Sequence, residues 1–449
     1  MIKERVAELE GLIDEETAAL LVAKELGVPL PPLEGRFEGK TSRLLVRDLI
    51  PGLKRIGLVA KLVRLPPPLQ LSSGRKLQRM VLADESGCVD AVAWDGAADA
   101  IASLNLKPGD CICVKNASVS EYKGKIEVVL DEGAEVEKLS ACDLPELEEL
   151  LARCGVNAVT MVVHEVVEGN GGYCAYGATR EGAACILVRA ESAALGLRRG
   201  DLVLVQDPRR MPGEFQRYKL TKISRVFVLG SQPVNASPFK IVDADDAQKL
   251  DEHVIGVRGR FAAALPSKRG AGTAIIIAGS LASVSVLAFD DSLIAEIGAL
   301  KPGTVIELLG VYSSERGLRL NPFYNVRKLG WEEPAKVSEA LAEGGYVSCR
   351  ATALSLSFRF RLLASGEPLL GAVVSIDDGT ARARLLTSYG PHIQELTGSS
   401  WDEIREYASL GVLPHILSFC EEYLRGAELE VEGWLSRDSV LAATKLKVL

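Results

Sequence analysis

The chain has 449 residues, 47% of them hydrophobic and 25% charged, which predicts a folded protein of roughly three or four domains rather than one compact core. No apolar run reaches the roughly 20 residues that span a bilayer, and MIKERVAELE opens on charge rather than on a secretory signal. The formal charge of -8 excludes a general cationic coat, although binding to an anion depends on the local field in a groove.

Nine cysteines occur without a Cys-x-x-Cys pair, the pattern of reduced thiols in a cytoplasmic protein. Cationic residues are concentrated early. Lys40, Arg43, Arg47, Lys54, Arg55, Lys61, Arg64, Arg75, Lys76 and Arg79 share a stretch whose one acid is Asp48, while acids crowd 131–149.

Residues 1–32 are expected to be a helical hairpin. Val6, Leu9, Leu12 and Ile13 share one face, and Ala18, Leu21, Val22 and Leu26 another. Asp14-Glu15-Glu16-Thr17 is a start signal, Gly27 a stop, and Pro29-Leu30-Pro31-Pro32 a stiff linker.

The block 43–139 reads as a small β-barrel. A strand over 55–64 leads through a proline-rich loop, 65–71, into another at 80–83 that breaks at Asp84-Glu85-Ser86-Gly87. Val89, Ala91 and Ala93 then alternate with Asp90, Val92 and Trp94. Asp95 is a candidate N-cap for a helix with Ala98, Ile101 and Leu104 on one face. Lys107-Pro108-Gly109-Asp110 is a turn, and strands follow at 111–114 and 125–130. Cys111 and Cys113 fall on one face of their strand and read as small barrel residues.

An acidic linker, 140–151, precedes a second alternating block over 155–230, where Arg198-Arg199-Gly200-Asp201 repeats the turn. Its counterpart of Trp94 is Arg189 or a neighbour, so stacking there would fall to Tyr176, Phe215, Tyr218 or an arginine plane. After a linker-like stretch, 230–252, the block 253–330 repeats the first. VSVLAFDDSLIAEIGALKPGTVIEL lies over VDAVAWDGAADAIASLNLKPGDCICV, with Phe289 in the place of Trp94. The block 345–449 carries Arg382, Arg384 and Tyr389, then helices near 401–407, capped by Ser399 or Ser400, and 414–424.

Three runs of the first block, DESGCVDAVAW, LKPGD and SEYKGKIEVVL, resemble a DNA-binding barrel of archaeal replication protein A. LEGLIDEETAALLVAKELGV resembles that family's N-terminal helical region, and the last block its C-terminal barrel with a helical insertion. The resemblance spans most of the chain and is weakest over the second block. It implies a mainly β fold, a tandem array of about four oligonucleotide-binding (OB) barrels. It also implies that Trp94 and Tyr122 stack on bases. Arg64, Arg75, Lys76, Arg79, Lys123 and Lys125 would meet phosphates, since single-strand binding needs aromatics between cations.

Three departures stand out. The 65–71 loop lacks the family's aromatic, SERGLRL offers Glu315 or Arg316 where Tyr122 stands, and Cys349 and Cys420 are too few for the zinc motif of many members. No metal or cofactor is therefore expected. His164, His253, His392 and His415 stand apart from any nucleophile or metal motif, Asp377-Asp378-Gly379-Thr380 reads as a turn, and no phosphate-cradling loop occurs. The expectation is a nucleoid-associated, non-enzymatic protein that binds single-stranded DNA in replication, recombination and repair. It would meet protein partners through the N-terminal helices or the last barrel. The alternatives are a protein-binding scaffold whose first barrel alone touches nucleic acid, and an RNA-binding protein.

Overall fold

The computed structural model describes residues 44–169, 171–189, 196–213, 215–247, 253–267, 272–331 and 344–449. The expected N-terminal helical hairpin lies outside the described residues. Residues 46–449 form one compact unit, built mainly of strands in four sheets.

The first sheet contains β1 (Ile56–Arg64), β2 (Leu69–Gln70), β3 (Lys76–Ala83), β4 (Cys88–Trp94), β5 (Cys111–Tyr122), β6 (Lys125–Leu130) and β7 (Glu135–Leu139). It runs β1-β3-β4-β6-β5-β7, and a pairing of β1 with β5 closes it on itself. Val89, Ala91 and Ala93 are buried inside, as the alternation requires, with Leu62, Leu82, Val128 and Leu130. Asp84 makes the β3–β4 turn by accepting from the Ser86 and Gly87 amides at 2.7 and 3.1 Å. The helix α1 (Asp95–Ser103) buries Ala97, Ala98 and Ile101, and Leu106 rather than Leu104 completes its apolar contact. Asp95 does not cap it. The residue sits at φ 45°, and its carboxylate is turned instead toward Arg75 and the Lys76 amide.

The helix α2 (Leu147–Arg153) occupies the end of the expected linker and leads into the second sheet. That sheet contains β8 (Ala158–Gly169), β9 (Gly172–Thr179), β10 (Gly182–Arg189), β11 (Asp201–Gln206), β12 (Arg209–Met211), β13 (Gln216–Lys219) and β14 (Arg225–Ser231). Its path, β12-β13-β10-β9-β8-β11-β14, does not close among the described residues.

The third sheet takes β15 (Phe239–Asp243) from the expected linker and adds β16 (His253–Pro266), β17 (Thr273–Ala278), β18 (Ser283–Ala288), α3 (Asp291–Gly298), β19 (Thr304–Ser314) and β20 (Gly317–Trp331). A β16–β19 pairing closes it. The fourth is a closed barrel of β21 (Gly345–Leu362), β22 (Pro368–Asp377), β23 (Arg382–Thr387), β24 (Glu428–Leu435) and β25 (Val440–Val448). Three helices interrupt it: α4 (Gly390–Thr397), α5 (Trp401–Ser409) and α6 (Leu413–Tyr423). Ser400 caps α5, its hydroxyl accepting from the Glu403 amide while Glu403 reaches back to the Ser400 amide.

Each sheet packs on the next. Between the first and second, Val63 and Ala83 meet Leu150, Leu151 and Leu204. Gln206 accepts there from the Leu65 amide at 3.0 Å and donates to the Val63 carbonyl at 2.7 Å. Cys174, Tyr176, Cys185 and Leu187 of the second sheet pack on Phe239, Ile255, Leu309 and Phe323 of the third. At Gly169 a Cβ would fall on the Tyr324 backbone, so this approach needs glycine. Ala263, Leu265 and Ile276 of the third sheet lie on Val373, Leu386 and Val440 of the barrel, with the Ala264 amide donating to Ser388 Oγ at 2.9 Å.

The expectation of nine reduced thiols is corrected. Disulfides join Cys88 to Cys154 and Cys111 to Cys142, leaving Cys113, Cys174, Cys185, Cys349 and Cys420 free. The first bond ties β4 to the chain just beyond α2. The second ties β5 to the acidic linker, so Cys111 is not simply a small barrel residue. Pairing at a distance of 66 or 31 residues leaves no spacing signature to read.

Candidate nucleic-acid interface

The hairpin joining β5 to β6 turns on two residues, Lys123 at φ 53° and Gly124 at φ 76°. Positive φ at both positions makes the tight turn whose twist matches the paired strands. Tyr122 and Lys125 therefore face each other directly in the ladder. The Tyr122 ring is 52% exposed, with Lys123 Nζ 5.2 Å from its centroid. At that exposure the ring has a face to offer.

Beside this hairpin lies a groove of about 520 Å³, lined by Leu69, Arg79, Tyr122, Lys123, Lys125, Ile126 and others. Register explains the floor. Arg79 pairs with Val92, Val81 with Asp90, and Asp90 with Glu127, which places these side chains on the outer face. Arg79 and Lys125 have no ion-pair partner among the described residues. Asp90 and Glu127 bring negative charge to the floor, and burial pushes the Glu127 carboxyl up from its ordinary range. A second hollow of about 590 Å³ continues from the first and shares Arg64, Asp90, Lys125 and Ile126 with it.

Trp94 ends β4 on the same outer face and is half-buried, but it does not line the groove. Arg75 lies over it with its guanidinium carbon 4.4 Å from the ring centroid. Arg75 and Lys76, expected to meet phosphates, are instead paired with Asp95 at 2.9 Å and Asp99 at 2.8 Å. The Lys76 amide, followed by the Arg75 side chain, holds the Asp95 carboxyl below its ordinary range. Arg64 is bound by two hydrogen bonds to Asp207 of the second sheet, at 3.0 and 2.8 Å.

Other candidates change standing. Tyr176 is wholly buried; its hydroxyl accepts from Asn321 at 2.8 Å, so no ring face is open to a base. Tyr218 is likewise buried, in the second sheet's interior, and donates to Gln216 at 3.1 Å. Both are corrected: an outward parity does not expose a face that a neighbouring sheet covers, and Tyr218 points inward. Phe215 packs against the same junction as Tyr176. Arg189 remains exposed at the end of β10. Phe289 is 51% exposed, with the Arg319 guanidinium 6.0 Å from its ring. In the barrel, Arg382 pairs with Asp377 at 3.1 Å, Arg384 is exposed, and Tyr389 packs edge-on against His392 at 5.0 Å. These residues lie in different sheets from the Tyr122 groove.

Sequence reading missed Lys222 and Ile223, which enter the groove from the second sheet, and the floor acids Asp90 and Glu127. Alternation alone placed Asp90 outward. Nothing local marked Lys222. Among the described residues no group of three or more His, Cys, Asp or Glu side chains converges as metal ligands would, and no helix is long and apolar enough to cross a membrane.

Residues 58–136, the body of the first sheet, match the family model described as an OB-fold nucleic acid binding domain. This part of the chain is such a domain. Among solved structures, the chain is similar to a replication factor A related protein from Methanobacterium thermoautotrophicum, at 20% identity over 22% of this chain and 91% of that one, TM-score 0.20. A domain of replication protein A from Methanococcus maripaludis aligns at 22% identity over 22% and 99%, TM-score 0.19. A murine DNA binding protein bound with double-stranded DNA aligns at 11% identity over 40% and 99%, TM-score 0.23.

Proposed function

We propose that this protein binds single-stranded DNA without strong sequence preference, in the groove of its first sheet. One observation carries the reading: Tyr122 stands exposed on a tight hairpin among Lys123, Lys125 and Arg79, above a groove with apolar Leu69 and Ile126. Every base has a face to stack on Tyr122, and each phosphate gains a counter-charge. The role is binding rather than catalysis, and it suits replication, recombination and repair, where single strands are exposed.

Packing favours a second element. The face of the second sheet that corresponds to the groove is covered by Phe239 and Phe323, while in the third sheet Val373 and Leu386 cover Ala263, Leu265 and Ile276 but leave Ser285 and Phe289 exposed. On this reading the later sheets are a scaffold, open to protein partners, and the first holds the strand.

Titration with labelled single-stranded DNA of increasing length, with RNA and duplex DNA alongside, tests the proposal. Duplex should bind far more weakly because its bases cannot stack. Equal affinity for duplex and single strand overturns the single-strand reading, and tighter binding of RNA overturns the choice of DNA.

A further inference from the structure

We infer that the single strand is held between two sheets, with the 221–224 turn of the second sheet forming the far wall of the first sheet's groove. Lys222 would take a phosphate there, and Ile223 would make an apolar contact with a base. The inference rests on the single-strand reading above and extends it, because the second sheet contributes through its edge and not through its covered face.

The wall is rigid. The Thr221 amide donates to Ser224 Oγ at 2.8 Å, and that hydroxyl donates to the Asp207 carbonyl at 2.6 Å. Asp207 also receives Arg64 from the first sheet, and Arg225 donates to the Leu65 carbonyl at 3.3 Å. The turn is thus pinned to the end of β1 and the loop beyond it, and forming the wall need not order a flexible segment on binding. None of these bonds uses the side chains of Lys222 or Ile223. Lys222 has no ion-pair partner among the described residues, and Ile223 is 56% exposed. A lone exposed isoleucine needs no explanation. This one lines the same groove as Tyr122, next to an unpaired lysine, on a fixed support. With Lys222, cations stand on both sides of a slot that is apolar between them, the charge pattern a phosphate backbone complements.

The test is equilibrium titration of the full chain with a fluorescein-labelled oligothymidylate over a range of salt. At 0.1 M salt, Lys222→Ala should weaken binding about fivefold and make the log–log salt slope shallower by about 0.7, as expected when one phosphate fewer is neutralised. Ile223→Ser should weaken binding with the slope unchanged. Lys447→Ala, on the last strand of the barrel, should change neither. Both groove substitutions are at exposed side chains, and unchanged thermal melting would establish that the variants are folded. If Tyr122→Ala weakens binding while Lys222→Ala and Ile223→Ser bind as wild type does, the two-sheet inference is overturned and the single-strand reading stands. If Tyr122→Ala also binds as wild type does, that reading fails and takes the inference with it.

Discussion

The guanidinium carbon of Arg75 lies 4.4 Å from the centroid of the Trp94 ring, and its Nε donates to Asp95 at 2.9 Å. One face of the indole is therefore covered by a cation that is itself anchored. A base approaching that face must displace Arg75 from an attraction worth about 0.5–1 kcal/mol at an exposed site. Tyr122 has the Lys123 ammonium 5.2 Å from its ring, but no carboxylate among the described residues anchors that lysine as Asp95 anchors Arg75, so it is displaced at less cost. Tyr122→Ala should accordingly cost about 1–3 kcal/mol in single-strand affinity, and Trp94→Ala less. Fluorescence anisotropy on folded variants decides the order, and a larger loss at Trp94 would contradict it.

Asp95 neutralises Arg75 and accepts from the Lys76 amide. Asp95→Asn preserves the residue's tolerance of positive φ while removing the charge. It should tighten single-strand binding and steepen the salt dependence by up to about 0.7 for the cation released. An unchanged slope would mean that Arg75 lies off the path of the strand.

Titration of the denatured, unreduced protein with a thiol reagent should count five thiols, the nine cysteines less the four in disulfides. A count of nine would remove both bonds. In the chain-entropy picture, the Cys88–Cys154 link, across 66 residues, should contribute about 4 kcal/mol to stability. Cys88→Ser with Cys154→Ser should show that loss in chemical denaturation.

His392 is buried beneath Tyr389, with Nδ1 3.0 Å from Thr387 Oγ1. Burial, aided by Lys301, pulls its pKa from 6.5 down to about 4. The unfolded chain takes up a proton in that interval and the folded one does not. Stability is thus fully present above pH 6.5 and is lost as pH falls toward 4, by up to about 3 kcal/mol. Denaturation curves at pH 7, 5 and 4 should show the decline, and His392→Asn should flatten it. An equal decline in the variant would assign the effect to other groups.

Much of the first sheet was legible from local rules. Period-two alternation sorted Val89, Ala91 and Ala93 from Asp90 and Trp94, whereas the strand expected over 111–114 runs on to Tyr122, where the tight Lys123-Gly124 turn begins. Repetition of the Lys-Pro-Gly turn marked the third sheet, and Ser399 or Ser400 marked a helix start, because these signals are carried by residues a few positions apart. What lies over an outer face is a matter of other sheets, and alternation has no term for it. Tyr176 has the outward parity of a stacking residue and is buried under the third sheet. Arg75 and Lys76 read as free cations until the fold brought Asp95 and Asp99 to them across about twenty residues. Lys222 entered the groove for the same reason, through the Arg64–Asp207 contact between positions 143 residues apart. The strands and their inward faces were determined by the sequence alone, through short-range chemistry. Which outward residues remain open to a ligand was decided only in the tertiary structure, because exposure depends on long-range packing between sheets.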